Sequence, residues 1–511
     1  QHLRRVIWLA QSSPTGDRAE LPDVPDDSAV WPWVTSTRDN CLGADCADFG
    51  TCFVVKARRR ALAADVVVIN HHLFFADLML RDTGGGELLP VADAVVFDEA
   101  HQLLDIGLHF AGVQVSTQQW VELARDTQAA GLTLARGLAD WAGLAASLHQ
   151  AVREARLAAG HRMGRFGWDA VPHEAGAGAL AQLRPPLDAL DRALDAFTEL
   201  APDFARLKAR TQELQRAMAQ LGEADAFPLR MIEVTPHAAR WRVSPLNLHD
   251  TLGAFVAQSE AAFVFTSATL ATRGDFSFLR DALGVSPQHS AALASPFDFA
   301  QQGRLYVPQR FPLPRDEGFD DAVAAEAAQL VRASAGGALL LCTSLRSMRS
   351  LGERLTQLLG AEVPVILQDQ TSRREAVQRM REQRSLLVGS QSFWEGLDLP
   401  GDLLTLVMID KLPFAPPDDP LAKARNDEAE RAGKSGFSAV SLPQAAMALK
   451  QGAGRLIRTV DDRGVLAVFD RRLTTTGYGR TLLMALPPFT RVAHLAEACA
   501  FLADDAPVAT S

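Results

Sequence analysis

The 511 residues predict an α/β chain in which two blocks of alternating strands and helices flank a long helical segment. Three observations carry that expectation. Short β-branched or leucine-rich runs ending in polar residues occur before residue 110, and again from about residue 304. Between them, residues 111–250 are rich in Ala, Leu, Arg and Gln, with apolar positions at helical spacing. Apolar residues make up 48% of the chain, enough for ordinary cores, and no internal repeat is evident.

In the first block, ADVVVIN (64–70) and DAVVFDEA (93–100) both have the pattern of parallel strands buried on both faces. In the helical segment Leu187, Leu190, Leu194 and Phe197 form one apolar stripe. Leu207, Leu214, Met218 and Leu221 form another, with Pro202 at a turn between them. AAFVFTSATL (261–270) returns to a buried strand. GALLLCTS (337–344), RSLLVGS (384–390), LLTLVMID (403–410) and GVLAVFD (464–470) are the strands of the second block. The Pro-rich LPFAPPDDP (412–420) interrupts them as a loop.

No run of 18 apolar residues is present, so no membrane span is expected, and the N-terminus does not read as a signal peptide. A net charge of −10 argues against a surface basic all over, yet a local stripe suffices for nucleic acid. Lys56, Arg58, Arg59 and Arg60 are one such candidate, or simply a solvated helix face.

The chemistry is expected where VVFDEAH leaves its strand, since ligands of parallel sheets gather at strand carboxyl ends. Phosphate–Mg²⁺ chemistry needs one carboxylate to hold the metal and a second group to position or deprotonate water. Asp98 fits the first role and Glu99 the second, with His101 beside them. Arg455 and Arg458, three apart and expected on one helix face, suit phosphate as planar, permanently charged forks.

VVFDEAH resembles the Walker B box of superfamily 2 helicases. VFTSATL (264–270) resembles their ATP–nucleic-acid coupling motif, and ALKQGAGRLIRT (448–459) their final QxxGRxxR motif. SQSFWEGLDLPG (390–401) is similar to the motor motif of the XPD-like iron–sulfur helicases. INHHLFF (69–75), ASPFDF (294–299) and IDKLPFAPPDDPL (409–421) look like the bacterial DinG/YoaA branch. The resemblance covers nearly the whole chain and is weakest in the helical segment.

It implies two RecA-like motor domains with an iron–sulfur cluster insertion and a helical arch insertion. Residues 1–60 would be the partial cluster region, 61–110 with 251–303 the first motor domain, 111–250 the arch and 304–511 the second motor domain. The implied activity is ATP-dependent 5′→3′ DNA strand separation in repair or replication stress, with ATP and Mg²⁺. Gln451, Arg455 and Arg458 would join Asp98, Glu99 and His101 in catalysis. Thr266, Ser267, Thr269, Glu395 and Asp398 would couple it to DNA, and Trp394 is a stacking candidate or a core residue. The implied partners are single-stranded and fork-like DNA, with replication or repair proteins besides. A monomer in a bacterial cytoplasm is expected.

Cys41, Cys46 and Cys52 match three of the four ligands of that family's [4Fe–4S] cluster. Read alone, the three thiols also suit Zn²⁺ with a His or other ligand, although no CxxC pair is present. Two family elements are missing, the GxxxxGK[ST] nucleotide loop and the first cluster Cys. Gly433-Lys434-Ser435 is a decoy, because Glu428 stands five before Gly433 and a charged helix precedes it. With no initiator Met either, the expectation is that about a hundred or more N-terminal residues are absent, the space of a strand, loop and helix. The rival reading is a non-catalytic module that binds single-stranded DNA or a repair partner on an inherited helicase scaffold.

Overall fold

The computed structural model describes residues 2–504 except 22, 26–27, 37–40, 42, 83–87, 161, 224–226, 272–273, 391–392, 395–398 and 400. The chain divides into two compact units, residues 1–97 with 102–265 and residues 98–101 with 266–511.

The first unit holds two sheets. β1 (Ala94–Phe97) pairs in parallel with β6 (Ala262–Phe265), setting Phe97 opposite Phe265. One face of this pair is held by aromatic rings, with Phe97 4.8 Å from Phe74 and 5.2 Å from Phe265 between ring centroids. The other is open, and Val96 is 63% exposed. The expected strand at 64–70 is an irregular segment with Val66 and Val68 exposed. Its sequence has strand composition, but a strand needs a paired neighbour, and none of the described residues pairs with it. Full burial of β1 on both faces also fails: among the described residues it has β6 as its one partner strand, and Val96 stays exposed.

The segment 111–250 contains four long helices, Thr117–Leu134, Trp141–Ala158, Ala177–Asp195 and Pro202–Gly222, of which the last two carry the apolar stripes read in sequence. Ser116 and Gln119 form a capping box at the first, Asp140 caps the second, and Pro202 opens the fourth at its first position, where its missing N–H costs nothing. Leu187, Leu190 and Leu194 are fully buried, each contributing roughly 1.5–3 kcal/mol. Trp141 stacks on Phe204 at 5.4 Å, and its indole N–H reaches the Ala135 carbonyl at 2.9 Å. A Cβ at Gly131 would meet that indole at 2.2 Å, so only Gly lets Trp141 lie against this helix.

Sequence reading missed an antiparallel sheet here, β2 (Val113–Ser116), β5 (Ala239–Ser244), β4 (Leu229–Val234) and β3 (Gly164–Gly167) in that spatial order. One face, with Val115, Trp241, Val243, Ile232 and Val234, closes the helical core. The other carries polar residues.

The second unit is built on a seven-stranded, all-parallel sheet in the order β13-β7-β12-β11-β8-β10-β9. Its strands are β7 (Gly303–Tyr306), β8 (Ala338–Leu341), β9 (Val365–Leu367), β10 (Leu386–Gly389), β11 (Leu406–Ile409), β12 (Gly464–Val468) and β13 (Thr490–Val492). β8, β10, β11 and β12 are buried throughout, with apolar clusters on both faces, as their unbroken apolar runs predict.

Two buried carboxylates order the carboxyl edge of this sheet. Asp410, just after β11, accepts the N–H groups of Lys411 (2.7 Å) and Thr343 (3.1 Å). Asp470, just after β12, accepts both Nε and Nη2 of Arg472 and the N–H of Leu412 (3.1 Å). The Pro-rich loop is thus pinned at Leu412, and at Lys411 just before it, by carboxylates on neighbouring strands.

Candidate active site

The chain leaves β1 at Phe97 and turns sharply. Glu99 has φ +49°, one of two non-glycine residues in the left-handed region among those described. That geometry costs an L-residue roughly 1–2 kcal/mol, so neighbouring contacts must hold it. The Ala100 N–H donates to the Thr266 carbonyl at 2.9 Å, joining the turn to the segment after β6.

Hydroxyls then organise the acids. Thr266 Oγ1 donates to Asp98 Oδ1 at 2.9 Å, and that same oxygen accepts the Glu99 N–H at 3.0 Å. Ser267 Oγ lies 3.1 Å from Glu99 Oε2, 2.8 Å from His101 Nδ1 and 3.1 Å from Thr269 Oγ1. His101 Nδ1 also faces Glu99 Oε2 at 3.3 Å. The structure therefore brings together six residues singled out in sequence, Asp98, Glu99, His101, Thr266, Ser267 and Thr269. The imidazole is largely buried while the Glu99 carboxylate is about half exposed, so water and ligand can reach the acid.

Asp98 retains Oδ2 without a hydrogen bond, which fits it for a cation. Thr269 also lines a small cleft with Ala446, Met447, Lys450 and Met484, where burial lowers the pKa of the Lys450 amine.

Gln451 lies in the last turn of the helix Leu442–Ala453. Arg455 and Arg458 are not on a helix face as expected, because the helix stops at Ala453 and Gly454 caps it. Arg455 instead donates from Nε to the Trp394 carbonyl at 2.9 Å. The Arg458 N–H is held by Asp462 Oδ2 at 2.7 Å, in a turn that Asp462 also closes through Thr459. Trp394 is a core residue, 3% exposed, with its ring 3.1 Å from where a Cβ on Gly452 would stand. Stacking on a base is therefore excluded in this conformation. Glu395 and Asp398 lie outside the described residues.

Gly433-Lys434-Ser435 follows the carboxyl end of the helix Pro420–Arg431, where helix carbonyls rather than N–H groups face out, so it makes no phosphate cradle. Lys56, Arg58, Arg59 and Arg60 lie exposed along the helix Phe53–Leu62. Cys41, Cys46 and Cys52 are free thiols, and Cys52 caps the start of that helix. Among the described residues no three Cys, His, Asp or Glu side chains gather as a metal site. No step below runs through a cluster. Among the described residues no helix is long and apolar enough to cross a membrane.

Residues 327–489 match the family model of a helicase C-terminal domain. The chain is 39% identical to the ATP-dependent DNA helicase YoaA of Escherichia coli K12, over 98% of this chain and 80% of that protein. It is 32% identical to the ATP-dependent helicase DinG of Mycobacterium tuberculosis H37Rv, over 98% of this chain and 75% of that one. An XPD helicase structure superposes with a TM-score of 0.55 at 15% identity, covering 85% of this chain and 74% of that one, a likeness of fold. With two such relatives matched over nearly all of this chain and the acid–hydroxyl network in place, the chain belongs to the YoaA/DinG family of ATP-dependent DNA helicases.

Proposed function

We propose that this chain is the motor of an enzyme that couples ATP hydrolysis to 5′→3′ separation of DNA strands at single-stranded and fork-like substrates. The observation that supports it best is the hydroxyl network from Thr266, Ser267 and Thr269 onto Asp98, Glu99 and His101. A motor must make its acids sense a second ligand, and here the same short segment after β6 touches every acid of the site.

In this reading Asp98 holds Mg²⁺ through its free Oδ2, and the ion when bound neutralises phosphate charge. Glu99 orients the attacking water and accepts its proton at the carboxylate. Arg455 and Arg458 meet the charge that develops on the transferred phosphoryl group. Ser267 releases or holds Glu99 as the segment moves, so DNA occupancy changes the position of the base.

The phosphate grip itself, GxxxxGK[ST], is absent from the 511 residues. We infer that these residues alone turn over ATP at background rate. That absence also favours the second reading, a DNA- or partner-binding module without catalysis.

The deciding experiment uses a polypeptide that joins a GxxxxGK[ST] loop to this chain. It should unwind forks with a 5′ tail, fail on 3′ tails, and lose both turnover and unwinding in Glu99→Gln, which keeps an oxygen for Ser267 but no base. Full activity in Glu99→Gln would refute the assignment. Robust DNA-stimulated turnover by the 511 residues alone would refute the background-rate inference.

A further inference from the structure

The polar face of the β2–β5–β4–β3 sheet has no role in the site above. Register fixes its members. Gln114 stands opposite Arg242, Arg240 opposite Glu233, and Arg165 opposite Glu233 on the far side. Arg165, Glu233 and Arg240 therefore form one row across three strands, with Arg242 two residues along β5, roughly 6.6 Å further. The four strands carry four arginines, Arg165, Arg230, Arg240 and Arg242, against the single carboxylate Glu233, in a chain of net charge −10. Arg230 points to the other face and lies over the Trp168 ring at 4.6 Å.

The three arginines on the polar face are under-neutralised. Glu233 accepts from Arg240 at 3.0 Å and from Arg165 at 3.5 Å, so one carboxylate serves two guanidinium groups that stay about half exposed. Arg242 donates through Nη2 to the Leu108 carbonyl at 2.6 Å, while its Nε is buried without a partner. The Oε1 of its cross-strand neighbour Gln114 is also buried and unpartnered. Burial, followed by Arg165 and Arg240, lowers the pKa of Arg242, with Glu233 and Asp105 opposing. His109 is lowered in turn by burial, Arg242, Arg240 and His72, with Glu233 opposing, so it stays neutral and adds no further positive charge. Such a face gains most from a ligand with several negative charges spaced along a line.

We propose that this face binds the phosphodiester backbone of a nucleic-acid strand through Arg165, Arg240 and Arg242. The proposal rests on the DNA reading of the motor and adds a second contact surface to it. It lies on the sheet of the helical segment, whose last link to the DEAH box is the helix Leu103–Ala111, and Leu108 on that helix accepts Arg242. The contacts reach phosphates and not base edges, so binding here is indifferent to sequence.

The test uses the 511-residue chain and a fluorescein-labelled oligo-dT, read by anisotropy over a salt series. R165E/R240E should weaken binding by roughly tenfold or more and lower the salt slope by about 1.4, because two phosphate contacts to a single strand are lost. R165K/R240K should stay within about twofold of wild type. Both substituted pairs are surface residues, and equal thermal melting confirms the fold. Unchanged affinity and slope in R165E/R240E would overturn the arginine face while leaving the motor reading intact. A wild-type chain that binds no oligonucleotide would sink the DNA reading and this proposal together. Poly-glutamate bound as tightly as oligo-dT, and lost in R165E/R240E, would assign the face to an acidic polypeptide and overturn the nucleic-acid proposal.

Discussion

Replacing Asp470 with Ala should destabilise the second unit more than any exposed charge change. The carboxylate is fully buried at the end of β12 and accepts four groups, Nε and Nη2 of Arg472 and the N–H groups of Arg472 and Leu412. Asp470→Ala leaves a half-buried guanidinium without its counter-ion, and removing one partner of a buried pair costs about 3–5 kcal/mol. The Arg472 side chain is 32% exposed, so water recovers part of that and the low end applies. The orphaned Leu412 N–H adds about 1–2 kcal/mol. The expected total is about 4 kcal/mol, a fall in melting temperature of roughly 8–16 °C for a unit of this size. The eight tryptophans make the assay selective, because only Trp394 lies in the second unit. Far-UV circular dichroism should show the loss as an early transition, while tryptophan fluorescence stays near wild type. The double variant Asp470→Ala/Arg472→Ala should recover about 2 kcal/mol, since the stranded charge is gone. A single Asp470→Ala variant within about 1 kcal/mol of wild type would refute the clamp.

Ser267→Ala removes the hydroxyl shared by Glu99, His101 and Thr269, and should cut DNA stimulation of ATPase about tenfold in a loop-bearing polypeptide. Its unfolding free energy in urea should hold to within about 1 kcal/mol, because Glu99 is solvent-accessible, and unchanged DNA stimulation would remove Ser267 from the coupling role. Burial raises the Asp410 pKa to about 7, so the folded chain binds a proton that the unfolded chain has released, and stability falls as pH rises from about 4 to about 7. Asp410→Asn should flatten that part of the stability–pH profile, and a slope identical to wild type would contradict the assignment.

What was legible in sequence depended on whether a segment's partners are also in the chain. β8, β10, β11 and β12 announce themselves because unbroken apolar runs become strands once neighbours pair them on both sides, and all those neighbours are present. ADVVVIN has the same composition, yet Val66 and Val68 are exposed because no described strand pairs with them. Composition reports the wish to be buried, and only topology grants it. Two of the four helices were read from leucine spacing, whereas the antiparallel sheet was missed, although the apolar–polar alternation of ARWRVS in β5 is a strand signal; in β3, GRFG, the bounding glycines hide it. For the site, DEAH and TSAT were readable as words. Their joint geometry was not, since it depends on a pairing between residues 168 apart, Asp98 with Thr266 and Glu99 with Ser267. Arg455 and Arg458 were placed on a helix by their spacing, but Gly454 ends it first.

The acids at 98–101 have their position set by hydroxyls and backbone N–H groups, and this bears on how the motor is switched. A lysine or arginine fixing Glu99 would hold it through a strong charge-assisted bond that persists across small movements. A serine hydroxyl about 3 Å away is charge-assisted on the acceptor side only and brings no ion-pair attraction, so its bond to the half-exposed Glu99 weakens steeply with displacement and is worth about 1–2 kcal/mol. The left-handed backbone at Glu99 costs about as much as that bond returns. The two nearly cancel, so a shift of the 266–269 segment by a fraction of an ångström is enough to change which conformation of the base is favoured. A site poised in that way can be driven by the modest free energy of binding a strand, provided the strand moves this segment. A rigidly salt-bridged site could not be.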